Sequence, residues 1–238
     1  MNRSVKFLGL VFAIPAGLLL FSAWHAGARA AYQDQSKKKL VVVLDFDAAA
    51  VGTDVLGDNV DVGKGIATLL AQQLEKEGTY LVVDSKKISA DLAEHNFSKS
   101  GRFDHDFAVK LGKRLGADGV ILGNVTLFGR DSHERPVPQD ELVRRKIKAR
   151  VAAEARIVDT ATGEIVAVAS GRGESKREGV SLTSGGSNWH DFRSGNFGFD
   201  SKEFQETILG EAVNGMVLQL TTALAADAPK LTFKTVPH

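Results

Sequence analysis

The sequence predicts a mixed α/β domain, and three separated stretches predict it. They are KLVVVLDF (39–46), LGADGVILGNVTLF (115–128) and ARIVDTATGEIVAVAS (155–170). Each is a short apolar, β-branched run with turn residues at its edge, as covered strands require. Helical periodicity separates the first two, so strands and helices share one sheet-and-helix body.

The elements follow in order. Leu40–Phe46 is almost unbroken apolar, which predicts a strand covered on both faces. Residues 47–62 mix glycines with aspartates and read as a loop. From Gly63 the period becomes helical, with Ile66, Leu69, Leu70 and Leu74 on one face and Gly78 placed for a C-terminal cap. Tyr80–Val83 is the next strand. Asp84-Ser85 can cap a second helix carrying Ile88 and Leu92. Asp104 can cap a third, with a stripe of Phe107, Leu111 and Leu115 and a stop at Gly116. Gly119–Phe128 is a strand.

Residues 129–144 read as a charged insert containing Pro136 and Pro138. After it, Ile147, Ala149, Val151, Ala153, Ala155 and Ile157 alternate with Lys146, Lys148, Arg150, Glu154 and Arg156, which predicts a half-exposed strand. Asp159-Thr160-Ala161-Thr162-Gly163 has turn chemistry, and Ile165–Ala169 returns antiparallel. Residues 171–200 read as a Gly/Ser-rich insert with Trp189, Phe192, Phe197 and Phe199. From Ser201 to about Leu224, Phe204, Ile208, Ala212, Met216, Leu220 and Leu224 recur every four residues, predicting one amphipathic helix on the sheet. No internal repeat is visible.

The N-terminus bears on compartment. Arg3 and Lys6 precede an uncharged run from Phe7 to Ala28, and Ala28-Arg29-Ala30 has the small-x-small pattern of a cleavage site. Residues 1–30 therefore read as a signal peptide and 31–38 as a solvated leader; an uncleaved anchor is the alternative. The body spans 39–225, and 226–238 reads as a tail. Residues 31–238 hold 27 basic and 29 acidic side chains, because Arg3, Lys6 and Arg29 are the only charges before them. That balance argues against nucleic acid as the main partner. The sequence has no cysteine, which leaves no disulfide and no lipid-modifiable thiol.

Catalytic signals are weak. Asp45-Phe46-Asp47 follows a strand as the paired aspartates of haloacid-dehalogenase-type phosphatases do, one to attack phosphorus and one to protonate the leaving group. The residue two positions on is Ala49, where that family expects Thr or Val, and acids at the polar end of a strand are the plainer reading. Gly57 through Lys64 has five residues between its glycines where a phosphate loop needs four, and Gly65 replaces the hydroxyl residue. The start of the helix near Gly63 still offers amides to an anion. His95, His105, His133, His190 and His238 lack metal-ligand spacing, and no serine sits in a Gly-x-Ser-x-Gly elbow. No catalytic, cofactor or metal residue is assigned. Trp189 and the three phenylalanines of 171–200 are either a partner surface or rings folded back onto the core.

The order strand VVVLDF, Gly-rich loop, helix IATLLAQQLEKEG, strand YLVVD, helix, LGAD-VILGNV and RIVDTATGEIV resembles the curli production assembly/transport (CsgG) family over about 39–225. The most specific pieces are Leu115-Gly116-Ala117-Asp118 and the Val-Asp-Thr-x-Thr-Gly-Glu hairpin within Arg156–Val166. The resemblance implies a periplasmic α/β domain, related to the N-terminal domain of TolB, in a non-enzymatic envelope protein that needs no cofactor. In secretion-channel members of the family, rings form, two insertions become hairpins of an outer-membrane barrel, and the loop after the first strand narrows the pore. The corresponding segments here are 129–144, 171–200 and 47–62. That makes Val51, Asp54, Asn59, Trp189, Phe192, Phe197 and Phe199 candidate pore-loop or partner-contact residues.

Three features depart from the channel pattern. The lipidated cysteine is missing, the narrowing loop has no aromatic residue, and RDSHERPVPQDELVRRK lacks the apolar alternation of a lipid-facing strand. The expectation is an envelope protein that binds envelope or secreted proteins, with homo-oligomers and outer-membrane association in view. A soluble periplasmic accessory module, as in peptidoglycan-synthase activators, is the second reading, and an Asp45/Asp47 phosphatase the third.

Overall fold

The computed structural model describes residues 38–49, 51, 60–94, 105–136, 142–182 and 198–231. Five strands form one sheet: β1 (Lys39–Val43), β2 (Tyr80–Val82), β3 (Gly119–Pro136), β4 (Leu142–Asp159) and β5 (Ile165–Leu182). Their order is β2-β1-β3-β4-β5. β1 pairs in parallel with β2 and β3, and β3, β4 and β5 pair antiparallel. Five α-helices are described: α1 (Val62–Glu77), α2 (Ser85–Glu94), α3 (His105–Leu115), α4 (Lys202–Gln205) and α5 (Ile208–Ala226).

The alternation of β1 explains the layers. Val41 and Val43 face a core shared with α1 and α5, while Val42 and Leu44 face a second core with α2 and α3. Both faces of this strand are covered, as its unbroken apolar run requires. Residues 39–238 form one compact unit, and every core residue among those described lies between Val41 and Leu231.

Local chemistry sets the helix ends. Asp61 caps α1 by accepting the Lys64 amide at 2.9 Å, and Gly78 closes it with φ 88° in the left-handed region. Asp84 accepts the Lys86 amide at 2.7 Å at the start of α2. Gly116, after α3, has φ 73°. The Asp104 cap expected for α3 lies outside the described residues.

Two expectations change. The charged segment 129–144 is an extension of the sheet among its described residues: β3 runs on to Pro136 and β4 begins at Leu142, in register from Gly129↔Arg150 to Pro136↔Val143. Likewise β5 continues through Gly171–Leu182. The three strands are 18 residues each, roughly 60 Å long at ~3.4 Å per residue, and their outer parts, 130–136, 142–150 and 172–182, form an antiparallel arm. Charged residues are tolerated there because they lie on exposed pleats and pair across strands, and Pro136 stands at the strand end, where no further ladder donor is needed.

The second change is at the C-terminal helix, which is two helices. Thr207 interrupts it: its Oγ1 accepts the Gly210 amide at 2.9 Å and its backbone is extended. The α5 helix is long and apolar enough to cross a membrane by composition, but half of that stretch is buried on the sheet as a core helix.

α5 sits unusually close to β5. A Cβ on Gly171 would lie 2.5 Å from the Met216 carbonyl oxygen, and one on Gly173 would overlap the Ala212 carbonyl. Only glycine lets the helix backbone rest on the strand backbone there. Arg177 on β5 then donates to Glu211 Oε1 at 2.6 Å and to the Glu206 carbonyl at 2.8 Å, which fixes the start of α5 against the arm.

Candidate functional site

Two regions qualify by position. The first is the carboxyl end of β1, where it lies beside residues 121–125 of β3. The chain leaves β1 toward β2 and returns on the opposite side as β3, so the sheet has a topological switch point there, the usual place for a ligand crevice in open α/β sheets. The segment after β1 threads it. Asp47 is tied up structurally: its amide donates to the Gly123 carbonyl at 2.8 Å, its carbonyl accepts the Val125 amide at 2.8 Å, and its Oδ1 accepts the Ala49 amide at 2.9 Å. Asp45 stands at the surface. Partial burial and the neighbouring Asp61 carboxylate push its pKa up, and Lys64 offsets part of this. Gly63 packs under the Phe46 carbonyl so closely that a Cβ would overlap it. Of the loop residues singled out from sequence, Val51 is half-buried against the main core. Asp54 and Asn59 lie outside the described residues.

At the opposite, amino-terminal end of β1 and β3, the family-like pieces of the sequence form a latch. Thr160 is fully buried, and its hydroxyl donates to the Ala117 carbonyl at 2.5 Å, with the Asp118 carbonyl at 3.1 Å. Asp118 Oδ2 accepts the Leu40 amide at 2.8 Å. Asp159 Oδ1 accepts the Ala161 and Thr162 amides at 2.7 and 3.1 Å, and Gly163 takes φ 77°, which closes the β4–β5 turn. Lys39 is buried beside these acids; burial lowers its pKa, while Asp118 and Asp159 act the other way. Leu115–Asp118 and Asp159–Gly163 therefore hold β1, β3 and β4 together.

The second region is the arm. Near the body its outer face is covered by α2 and α3 through Val120, Leu122 and Val158. Farther out that face is exposed and charged. Lys146 pairs with Glu178, Lys148 and Lys176 both reach Glu174, and Arg150 pairs with Asp131, at 2.5 to 2.7 Å. The two lysines hold Glu174 down to about 2. On the inner face, hydrogen bonds from Ser175 and Arg177 lower Glu211.

Phe199 is buried at 5% exposure, stacked 4.4 Å from Phe204 and 6.4 Å from Phe128 between ring centroids. It fills the space over Gly65, so this ring folds back onto the core and presents no partner surface. Trp189, Phe192 and Phe197 lie outside the described residues. The charged strand extension and its clamp on α5 were missed from sequence. The signal that was there is the continued lysine and arginine alternation from Arg144 to Arg156.

The fold is a mixed five-stranded sheet with helices on both faces and an antiparallel extension of β3, β4 and β5. The profile of the curli production assembly/transport component CsgG matches residues 26–232, and the chain belongs to that family. No curated protein is a significant sequence match. Similar solved structures include the hypothetical protein CT253 from Chlamydia trachomatis, at 16% identity and TM-score 0.48, covering 80% of this chain and 98% of that one. The LpoB C-terminal domain from Salmonella enterica matches at 12% identity and TM-score 0.37, over 56% of this chain and 81% of its own. A PelC dodecamer from Paraburkholderia phytofirmans matches at 11% identity and TM-score 0.37, over 80% and 89%.

Proposed function

We propose that this is a non-enzymatic cell-envelope protein of the curli assembly/transport type, which works by docking to envelope components and to copies of itself. The observation that carries this reading is family membership across nearly the whole chain, 26–232. The apolar, cleavage-like N-terminus supports export across the inner membrane. Asp47, the second carboxylate of the phosphatase reading, has its Oδ1 on the Ala49 amide of a turn while its backbone bridges to β3, an arrangement that serves the fold.

Within this reading, the accessory form has more support than the channel form. A strand that spans a bilayer needs one apolar face. The arm carries Asp131, Lys146 and Lys148 on one face and Arg130 and Arg177 on the other. Cell fractionation with size analysis tests the reading. The expected result is a processed protein in the periplasmic or membrane fraction, in assemblies larger than a monomer. An unprocessed cytosolic monomer, or magnesium-dependent phosphatase turnover lost in Asp45→Asn, overturns it.

A further inference from the structure

The arm has a charge that the rest of the protein lacks. Its described segments, 130–136, 142–150 and 172–182, hold ten lysines and arginines against four acids, whereas residues 31–238 as a whole hold 27 against 29. The register sorts these charges by face. Arg144, Lys146, Lys148 and Arg150 of β4 project from the outer face, with Asp131 and Arg135 of β3 on one side and Arg172, Glu174, Lys176 and Glu178 of β5 on the other. That is seven cations and three acids. All three acids are engaged by Arg150, Lys148, Lys176 and Lys146. These side chains are 31% to 56% exposed, so the pairs are weak and do not account for the surplus of cations. Arg135, Arg144 and Arg172 are exposed on the same face. Alternate residues recur every ~7 Å along each strand and strands lie ~4.8 Å apart, so the cations form a grid roughly 27 Å by 10 Å.

We propose that the outer face of the arm is a docking surface for an anionic lipid bilayer, with headgroup phosphates lying against Arg135, Arg144, Arg172 and the Lys148–Lys176 pair. The geometry favours lipid over an acidic chain. A linear polyanion following the β4 row would have Asp131 on one flank and Glu174 and Glu178 on the other. Headgroups diffuse laterally and gather only where the cations are. The contact is carried by these charges, so it is sensitive to salt. Each Lys or Arg at an anionic lipid surface strengthens partition about fivefold. The inference deepens the envelope reading, but its test does not depend on export or on a protein partner.

The experiment is vesicle flotation of residues 39–238 with phosphatidylglycerol/phosphatidylethanolamine vesicles and with pure phosphatidylcholine vesicles, at about 0.05 and 0.5 M salt. Binding to the anionic vesicles alone, lost at high salt, is expected. Arg135→Gln/Arg144→Gln/Arg172→Gln should weaken it about a hundredfold with an unchanged circular dichroism spectrum, since three fivefold factors multiply. The body variant Lys76→Gln/Lys87→Gln/Lys110→Gln, with the same change in net charge, should stay within about threefold of wild type. Equal binding to neutral vesicles, no binding to anionic ones, or equal losses in both triple variants overturns the proposal. Retention by polyglutamate with no vesicle binding overturns it too and assigns the face to acidic protein.

Discussion

Gly173→Ala tests how the arm is fastened to the body. A Cβ there would overlap the Ala212 carbonyl oxygen and sit 2.6 Å from its carbon and 3.0 Å from the Met216 nitrogen, where ordinary contact begins at 3.4 Å. Both obstacles are backbone of α5, so no side chain can swing aside; the helix must retreat by well over 1 Å. Overpacking of this kind costs about 1–3 kcal/mol. Retreat also loosens Ala212, Met216 and Leu220, each fully buried, so the upper half of that range is expected. For a domain of this size about 2–3 kcal/mol corresponds to a melting temperature lower by roughly 4–12 °C. Gly129→Ala is the control, since a Cβ there meets nothing within 4 Å. Urea and thermal unfolding of residues 39–238 read both variants. If Gly173→Ala unfolds within about 0.5 kcal/mol of wild type, like the control, the close seat of α5 on β5 is wrong.

Three further outcomes follow from the same geometry. Thr160→Val leaves the buried Ala117 carbonyl without its donor and should cost about 1–3 kcal/mol in urea unfolding, while Thr160→Ser recovers much of it; equal stability of the valine variant would remove the latch. Phe199→Ala should cost about 3–5 kcal/mol, because the ring is buried between Phe204 and Phe128; a surface contact residue would cost under about 0.5 kcal/mol. Asp45 has a raised pKa, so its ionised form opposes folding above that value and the penalty fades as pH falls toward the unfolded carboxylate value of about 3.9. Asp45→Asn should therefore melt higher than wild type at pH 7, with the gap closing near pH 3, and a lower melting point at pH 7 would contradict the assigned environment.

The parts of the fold legible in the sequence are those where one residue type has one physical use. Gly78 and Gly163 stand where the left-handed region is needed, and Asp84 caps where a helix begins. β1 reads as covered on both faces because Val41 through Leu44 never alternate. The arm was obscured because its strands are stabilised by pairing and cross-strand charge, and Asp131 through Pro136 show no apolar period. Gly171 and Gly173 suggest a loop by composition, yet they serve a close approach of helix to strand that only the tertiary structure reveals. The break at Thr207 hides inside a four-residue apolar period that continues unbroken through Phe204, Ile208 and Ala212. For the candidate site, the outer-face lysines and arginines were visible, but the register that gathers them with Arg135 and Arg172 was not.

Site-specific photocrosslinking in cells tests the docking account most directly. With the crosslinker at Lys176 on the edge strand of the arm, lipid adducts read by mass spectrometry in the envelope fraction are expected, and the same probe at Lys76 on α1 should yield few. Unmodified monomer from both positions, recovered from the cytosol, would contradict it.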